Sequence, residues 1–287
     1  MTTLQETTKR GGRGRLLKRA LLGRPVSSHA ELHHRLSKRI GLAVFSSDAL
    51  SSSAYATDEI LLALMLAGSA AISLSVPIGI AVLVVLGVVI TSYRQTVRAY
   101  PGGGGAFTVS RENLGTGPGL IAAAALMVDY VLTVSVSAAA GVAAIGAFSP
   151  FVRDNRTIVA LFLVTVITVL NLRGLKESGN VFAFPTYGFL LAIGFMILYG
   201  GFRFLFGNPE VIEVHHFEAA QDLTLFLVLR AFASGTTALT GVEAISNGVP
   251  AFRPPEAKNA SQTLAILGFL LAFLFMGITL LGHAVHV

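Results

Sequence analysis

Asp48 stands inside an apolar stretch, in Phe45-Ser46-Ser47-Asp48-Ala49-Leu50-Ser51-Ser52-Ser53-Ala54-Tyr55, with hydrocarbon side chains on both sides of the patch. A carboxylate at membrane depth is expensive and is found where it faces a cavity, a partner or an ion path. The surrounding serines offer hydroxyls and weaken helical hydrogen bonding locally, so a break in the helix is expected over this patch. A second buried acid, Glu243, closes Ala233-Ser234-Gly235-Thr236-Thr237-Ala238-Leu239-Thr240-Gly241-Val242-Glu243. Its two glycines and its hydroxyls predict another interrupted helix. Between the two, Tyr130, Thr133 and Ser137 recur at i, i+3 and i+7, which puts them on one helical face. Together with Asp48, Tyr55, Thr240 and Glu243 they make a set of hydroxyl and carboxylate oxygens. Such a set can replace the water shell of a hard monovalent cation, with carbonyls freed at a helix break completing it. Removing a carboxylate from water favours its neutral form, so Glu243 is also a candidate proton carrier.

The competing reading is that Ser and Thr in membrane helices only mediate packing. That reading is preferred for Ser53 or Ser135 taken singly, but it does not account for the two buried acids. Asp58 and Glu59 lie near the end of their span and read as solvated or packed. Asp129 falls on a different face from Thr133 and Ser137 and reads as structural.

These residues need long apolar elements to hold them. The chain has 287 residues, 53% of them hydrophobic and only 13% charged, with a mean hydropathy of +0.72. A soluble domain carries about 25% charged residues. Residues 60–93, 178–202 and 259–287 hold no Asp, Glu, Lys or Arg, and about 20 residues suffice to cross a bilayer. The fold class expected is an all-α polytopic membrane protein, with seven spans over about 40–68, 75–98, 117–148, 157–173, 180–206, 223–249 and 260–286.

Residues 1–39 carry ten of the 21 Lys and Arg against Glu6 and Glu31. This basic tail, with a short interfacial helix over about 28–39, fits contact with anionic lipid rather than nucleic acid. With the tail inside, inner segments hold 17 basic residues and outer ones only Arg153, Arg156, Arg203 and Arg230. The N-terminus is therefore expected in the cytoplasm. No cleavable signal peptide is predicted, because the first apolar stretch begins near residue 40.

Other motifs exclude more than they offer. Cysteine is absent from the sequence, which removes disulfides and thiolate metal sites. Pro101-Gly102-Gly103-Gly104-Gly105 lacks the Gly-Lys-Ser/Thr ending of a phosphate loop and reads as a turn where helices approach closely. His215 and His216 alone do not make a metal site; His283 and His286 carry little information. No arrangement suggests hydrolysis, so an enzyme is not expected and no cofactor is implied.

The segments Tyr100-Pro101-Gly102-Gly103-Gly104-Gly105-Ala106-Phe107 and Asp129-Tyr130-Val131-Leu132-Thr133 resemble the amino acid–polyamine–organocation (APC) superfamily. The resemblance covers about residues 38–287. It implies a LeuT-type core of ten helices in two inverted five-helix repeats. Within it, residues 47–55 and Thr240-Gly241-Val242-Glu243-Ala244 look like the KimA-type potassium importers, which are proton symporters. Carried over by motif, Asp48, Tyr55, Tyr130, Thr133, Ser137 and Thr240 match ion-binding positions, with Asp48, Tyr130, Thr133 and Thr240 on the potassium. Glu243 matches a position of gating or proton coupling. The resemblance also implies a plasma-membrane homodimer, with broken helices one and six moving against a scaffold that includes helix three.

A ten-helix core is longer than seven spans, so a C-terminally truncated carrier is the expectation. Two other readings stay open. One is an amino acid or polyamine permease for cationic substrates, since Asp48 would repel a substrate carboxylate. The other is an inactive fragment of a carrier.

Overall fold

The computed structural model describes residues 35–172, 175–207 and 218–285, which contain helices, turns and no strand. Ten α-helices follow in order: α1 Lys38–Met65, α2 Ser75–Ala99, α3 Gly105–Leu114, α4 Thr116–Gly146, α5 Pro150–Asp154, α6 Arg156–Asn171, α7 Leu175–Phe206, α8 Leu225–Gly235, α9 Glu243–Asn247 and α10 Glu256–Val285. Short 3-10 turns over Ser69–Leu74, Thr236–Leu239 and Val249–Ala251 join some of them. The interfacial helix expected in the tail falls largely outside the described residues. Its last two positions, Lys38 and Arg39, instead open α1, where Ser37 caps the helix by accepting from the Ile40 N–H at 3.4 Å.

Among the described residues, four stretches are long and apolar enough to cross a bilayer: Ser69–Ala99, Thr116–Gly146, Gly179–Phe206 and Glu256–Val285. Large apolar residues such as Met127, Phe184, Phe195 and Phe202 project outward from α4 and α7. Such a surface suits hydrocarbon and would be a liability in water. Helices α6 and α8 with its 3-10 extension are apolar but shorter, and α1 carries charged residues along its length.

The chain divides into two units, and Leu36–Tyr130 with Gly179–Val287 forms one of them. Its core begins with α2, whose buried Ile78, Val82, Leu86 and Ile90 recur every four residues. That spacing makes one stripe along the helix. Leu86 and Ile90 join Leu264, Leu267, Leu271 and Leu274 of α10 in one buried cluster, together with Leu42, Ala49 and Leu50 of α1. A second cluster packs Ala56, Ile60 and Leu64 of α1 against Val82 of α2, Ala231 of α8 and Phe275 of α10. Among lipid tails such faces associate by close packing and by side-chain hydrogen bonds. An example of the latter joins the hydroxyls of Thr57 and Thr279 at 2.9 Å. Helix α7 is tied to the start of α1 by Tyr187, whose hydroxyl donates to the Arg39 carbonyl at 2.9 Å.

Val131–Ser178 belongs to the other unit. It holds the later part of α4, the short α5 with Pro150 in its first turn, and α6.

One expectation is overturned here. Residues 46–54 do not break: α1 runs as an uninterrupted helix of 28 residues. The serine hydroxyls turn inward on their own helix, Ser51 donating to the Asp48 carbonyl at 2.8 Å and Ser53 to the Leu50 carbonyl at 2.7 Å. The stretch contains neither Pro, which would delete a donor, nor Gly, which would release the backbone. Hydroxyls alone leave the ladder intact.

Candidate cation site at the interrupted helix

The second expected break is present. Helix α8 ends at Gly235, a single 3-10 turn follows, Thr240 is extended (φ −61°, ψ 137°), and Gly241 takes φ +83°. A left-handed φ is open to Gly at little cost. The chain then re-enters helix as the five-residue α9, which begins at Glu243.

The interruption lies directly against Asp48. A Cβ added to Gly241 would fall 2.7 Å from Asp48 Oδ2 and 2.9 Å from the Ala49 nitrogen. Glycine is therefore required twice over at this position, by φ and by space. Asp48 is half-buried, and its Oδ1 is fully enclosed with no hydrogen-bond partner. Glu243 is 9% exposed. Its Oε1 has no hydrogen-bond partner. Ser46 Oγ, Ser246 Oγ and Asn247 Oδ1 are enclosed and unpartnered in the same way. Buried polar atoms normally find partners, so the unpartnered carboxylate oxygens of Asp48 on α1 and Glu243 on α9 make a cradle suited to a cation or water.

Tyr130 is brought to this region. Its hydroxyl accepts from Asn247 Nδ2 at 2.6 Å, and the charges of Glu243, Asp129 and Asp48 all act on it. Thr240 is half-buried at the interruption itself, with its N–H donating to the Thr237 carbonyl at 3.1 Å. Tyr55 is half-buried two turns along α1 from Asp48, and its hydroxyl shares a 2.8 Å hydrogen bond with Ser52 Oγ. Thr133 and Ser137 belong to the other unit, both half-buried, with Ser137 Oγ enclosed and unpartnered. Asp58 and Glu59 are exposed. His215 and His216 lie outside the described residues.

Sequence reasoning passed over two residues here. Asp129 acts electrostatically on both Asp48 and Glu243, although its spacing from Thr133 and Ser137 set it apart from their face. Asn247 reaches Tyr130 from α9. The sequence placed this amide four residues after Glu243, on that residue's helical face, but not against Tyr130.

Aromatic packing joins the start of α1 to the segment after α9. Phe45, one turn before Asp48, stacks on Phe252 with ring centroids 5.6 Å apart. Leu36 then pairs with Phe252 in a short parallel bridge: its N–H donates to the Ala251 carbonyl at 2.7 Å, and its carbonyl accepts from Arg253 at 3.0 Å.

An all-helical membrane architecture around an interrupted helix with converging acids is that of a permease. The chain belongs to the amino acid permease family of the APC superfamily, whose model matches residues 42–286. It is similar to the potassium transporter KimA of Bacillus subtilis (strain 168), with 50% identity over 270 residues covering 93% of this chain and 44% of that protein. The chain thus spans less than half the length of that relative.

Proposed function

We propose that this chain forms the ion-binding part of a plasma-membrane carrier that imports potassium in symport with protons. The observation that carries the reading is the meeting of Asp48 with the interruption at Gly241, beside Glu243, with oxygens of both acids buried and unpartnered. Two carboxylates in a dry cradle attract a cation and would repel the carboxylate of an amino acid. The relative named for potassium transport, 44% of which this chain covers, supports potassium as that cation.

In this reading Asp48 supplies the charge that replaces the ion's hydration. Tyr130, Thr133, Ser137, Thr240 and Tyr55 add neutral oxygens. Glu243 takes up and returns the coupling proton, being the second buried acid at the interruption. Because α1 is continuous, the moving part is α8–α9 around Gly241, while α1 tilts as one rod. The basic tail lies in the cytoplasm against anionic lipid, and the carrier works as a homodimer.

The test is growth at limiting potassium of cells lacking their own potassium importers. Rescue by this chain but not by Asp48→Asn is expected. Rescue by Asp48→Asn at equal membrane abundance would remove Asp48 from the site. A second reading, a permease for cationic amino acids or polyamines, draws on the family and on the same acids. Strong competition of rubidium uptake by lysine, arginine or putrescine would favour it. No rescue by either chain would point to a piece that needs the rest of a longer carrier.

A further inference from the structure

We infer that Asn247 is a positioning residue for the cation site, setting the direction in which the Tyr130 hydroxyl presents its oxygen. The inference rests on the proposed cation site and adds a residue to it.

A tyrosine hydroxyl has one proton to donate and two lone pairs. At Tyr130 one lone pair is taken by Asn247 Nδ2 at 2.6 Å. The O–H must then point elsewhere, and the second lone pair remains for a ligand. That remaining capacity operates in the field of Asp48, Asp129 and Glu243. Without the amide, the hydroxyl could rotate its own proton toward the place where an ion would need an acceptor.

Asn247 can impose a direction because its own backbone is held. Its carbonyl accepts from the Gly104 N–H at 3.3 Å. Gly103, with φ +78°, packs so closely that a Cβ there would fall 2.7 Å from the Asn247 carbonyl oxygen and 2.8 Å from Pro250 Cδ. The Gly105 backbone abuts the amide oxygen, which makes no hydrogen bond of its own. The glycine run at 102–105 is in this way the seat of α9, and Asn247 joins it to Tyr130. A displacement of α9 therefore carries the amide away from the tyrosine, so that movement of the interrupted helix alters the ion's ligand at the same time.

The experiment is a double-mutant cycle on rubidium uptake by wild type, Asn247→Ala, Tyr130→Phe and the pair, normalised to protein in the membrane. Asn247→Ala is expected to raise KM about ten-fold with maximal rate within about three-fold, as loss of a positioning hydrogen bond would. In the Tyr130→Phe background it should add less than about two-fold. Equal KM effects in both backgrounds, or a fall in rate with KM unchanged, would overturn the inference. Should Asn247→Ala not reach the membrane, Asn247→Leu, of similar size and without the donor, replaces it. If wild type takes up no rubidium, the chain does not transport without the rest of a longer carrier, and the inference is tested apart from uptake. The pair is then read from thermal unfolding midpoints of the same four proteins, where additive shifts would overturn the hydrogen bond and the inference with it.

Discussion

Residues 46–54 of α1 and residues 234–243 between α8 and α9 have much in common in composition. Each is rich in hydroxyl side chains, each carries a carboxylate, and each packs in the same unit. One is a continuous helix; the other passes from α-helix to a 3-10 turn to an extended residue and a left-handed glycine. The difference is where the hydroxyls find acceptors and whether the backbone is released. In α1 Ser51 and Ser53 bond to carbonyls three residues back and leave the ladder in place. Between α8 and α9 the hydroxyls do the same, Thr236 donating to Ala233 at 2.6 Å and Thr237 to the Ser234 carbonyl. Yet there Gly241 lets the chain turn away. Hydroxyls decorate a helix, and glycine ends it.

The largest expected effect tests the acid that the intact helix presents. Asp48→Asn should lower potassium uptake by at least about 100-fold while leaving α1 helical, since it removes the charge and none of the backbone bonds. Uptake and helix content measured on the same preparation check both halves. Next comes Gly241→Ala, which forces a side chain into a left-handed φ and toward Asp48 Oδ2. A conformational cost of about 1–2 kcal/mol is expected, with uptake down about ten-fold or more at reduced thermal stability. An unchanged rate would mean that the interruption does not depend on this glycine.

A change of kind rather than size is expected from Glu243→Gln. The amide keeps the volume but cannot exchange a proton, so uptake should lose its dependence on the proton gradient while rubidium still binds. Gradient-driven accumulation by the variant would transfer the coupling role to another acid, with Asp129 the first to examine. The smallest effect belongs to Ser51→Ala. Its hydroxyl only back-bonds within α1, so stability should stay within about 0.5 kcal/mol and uptake within about two-fold. A large loss would mean that residues 46–54 hold the site open in a way the continuous helix conceals.

Much of the architecture was legible because apolar length and charge spacing report membrane helices directly. Each expected span holds a helix, and the interruption at Thr240 and Gly241 was announced by its glycines. The false break in α1 came from reading serine as a helix breaker, when a buried serine can satisfy itself on the preceding turn. The acids and Tyr130 stood out because polar groups are conspicuous in hydrocarbon. Asp129 and Asn247 did not, since their parts depend on which faces of α4 and α9 meet the other helices. Face and depth along one helix are periodic in the sequence; contact between two helices is settled by packing.

The bridge between Leu36 and Phe252 has a consequence for how the protein comes into being. Its two partners lie roughly 200 residues apart, and at about 5–20 residues per second the ribosome needs on the order of 10–40 s to travel between them. During that interval α1 can already be in the membrane, with Leu36 at its start still waiting for the residues around Phe252 that will pin it. Leu36 is therefore synthesised well before it is fastened. For a nascent chain, closure of this face is a late, long-range event that local helix formation cannot hasten.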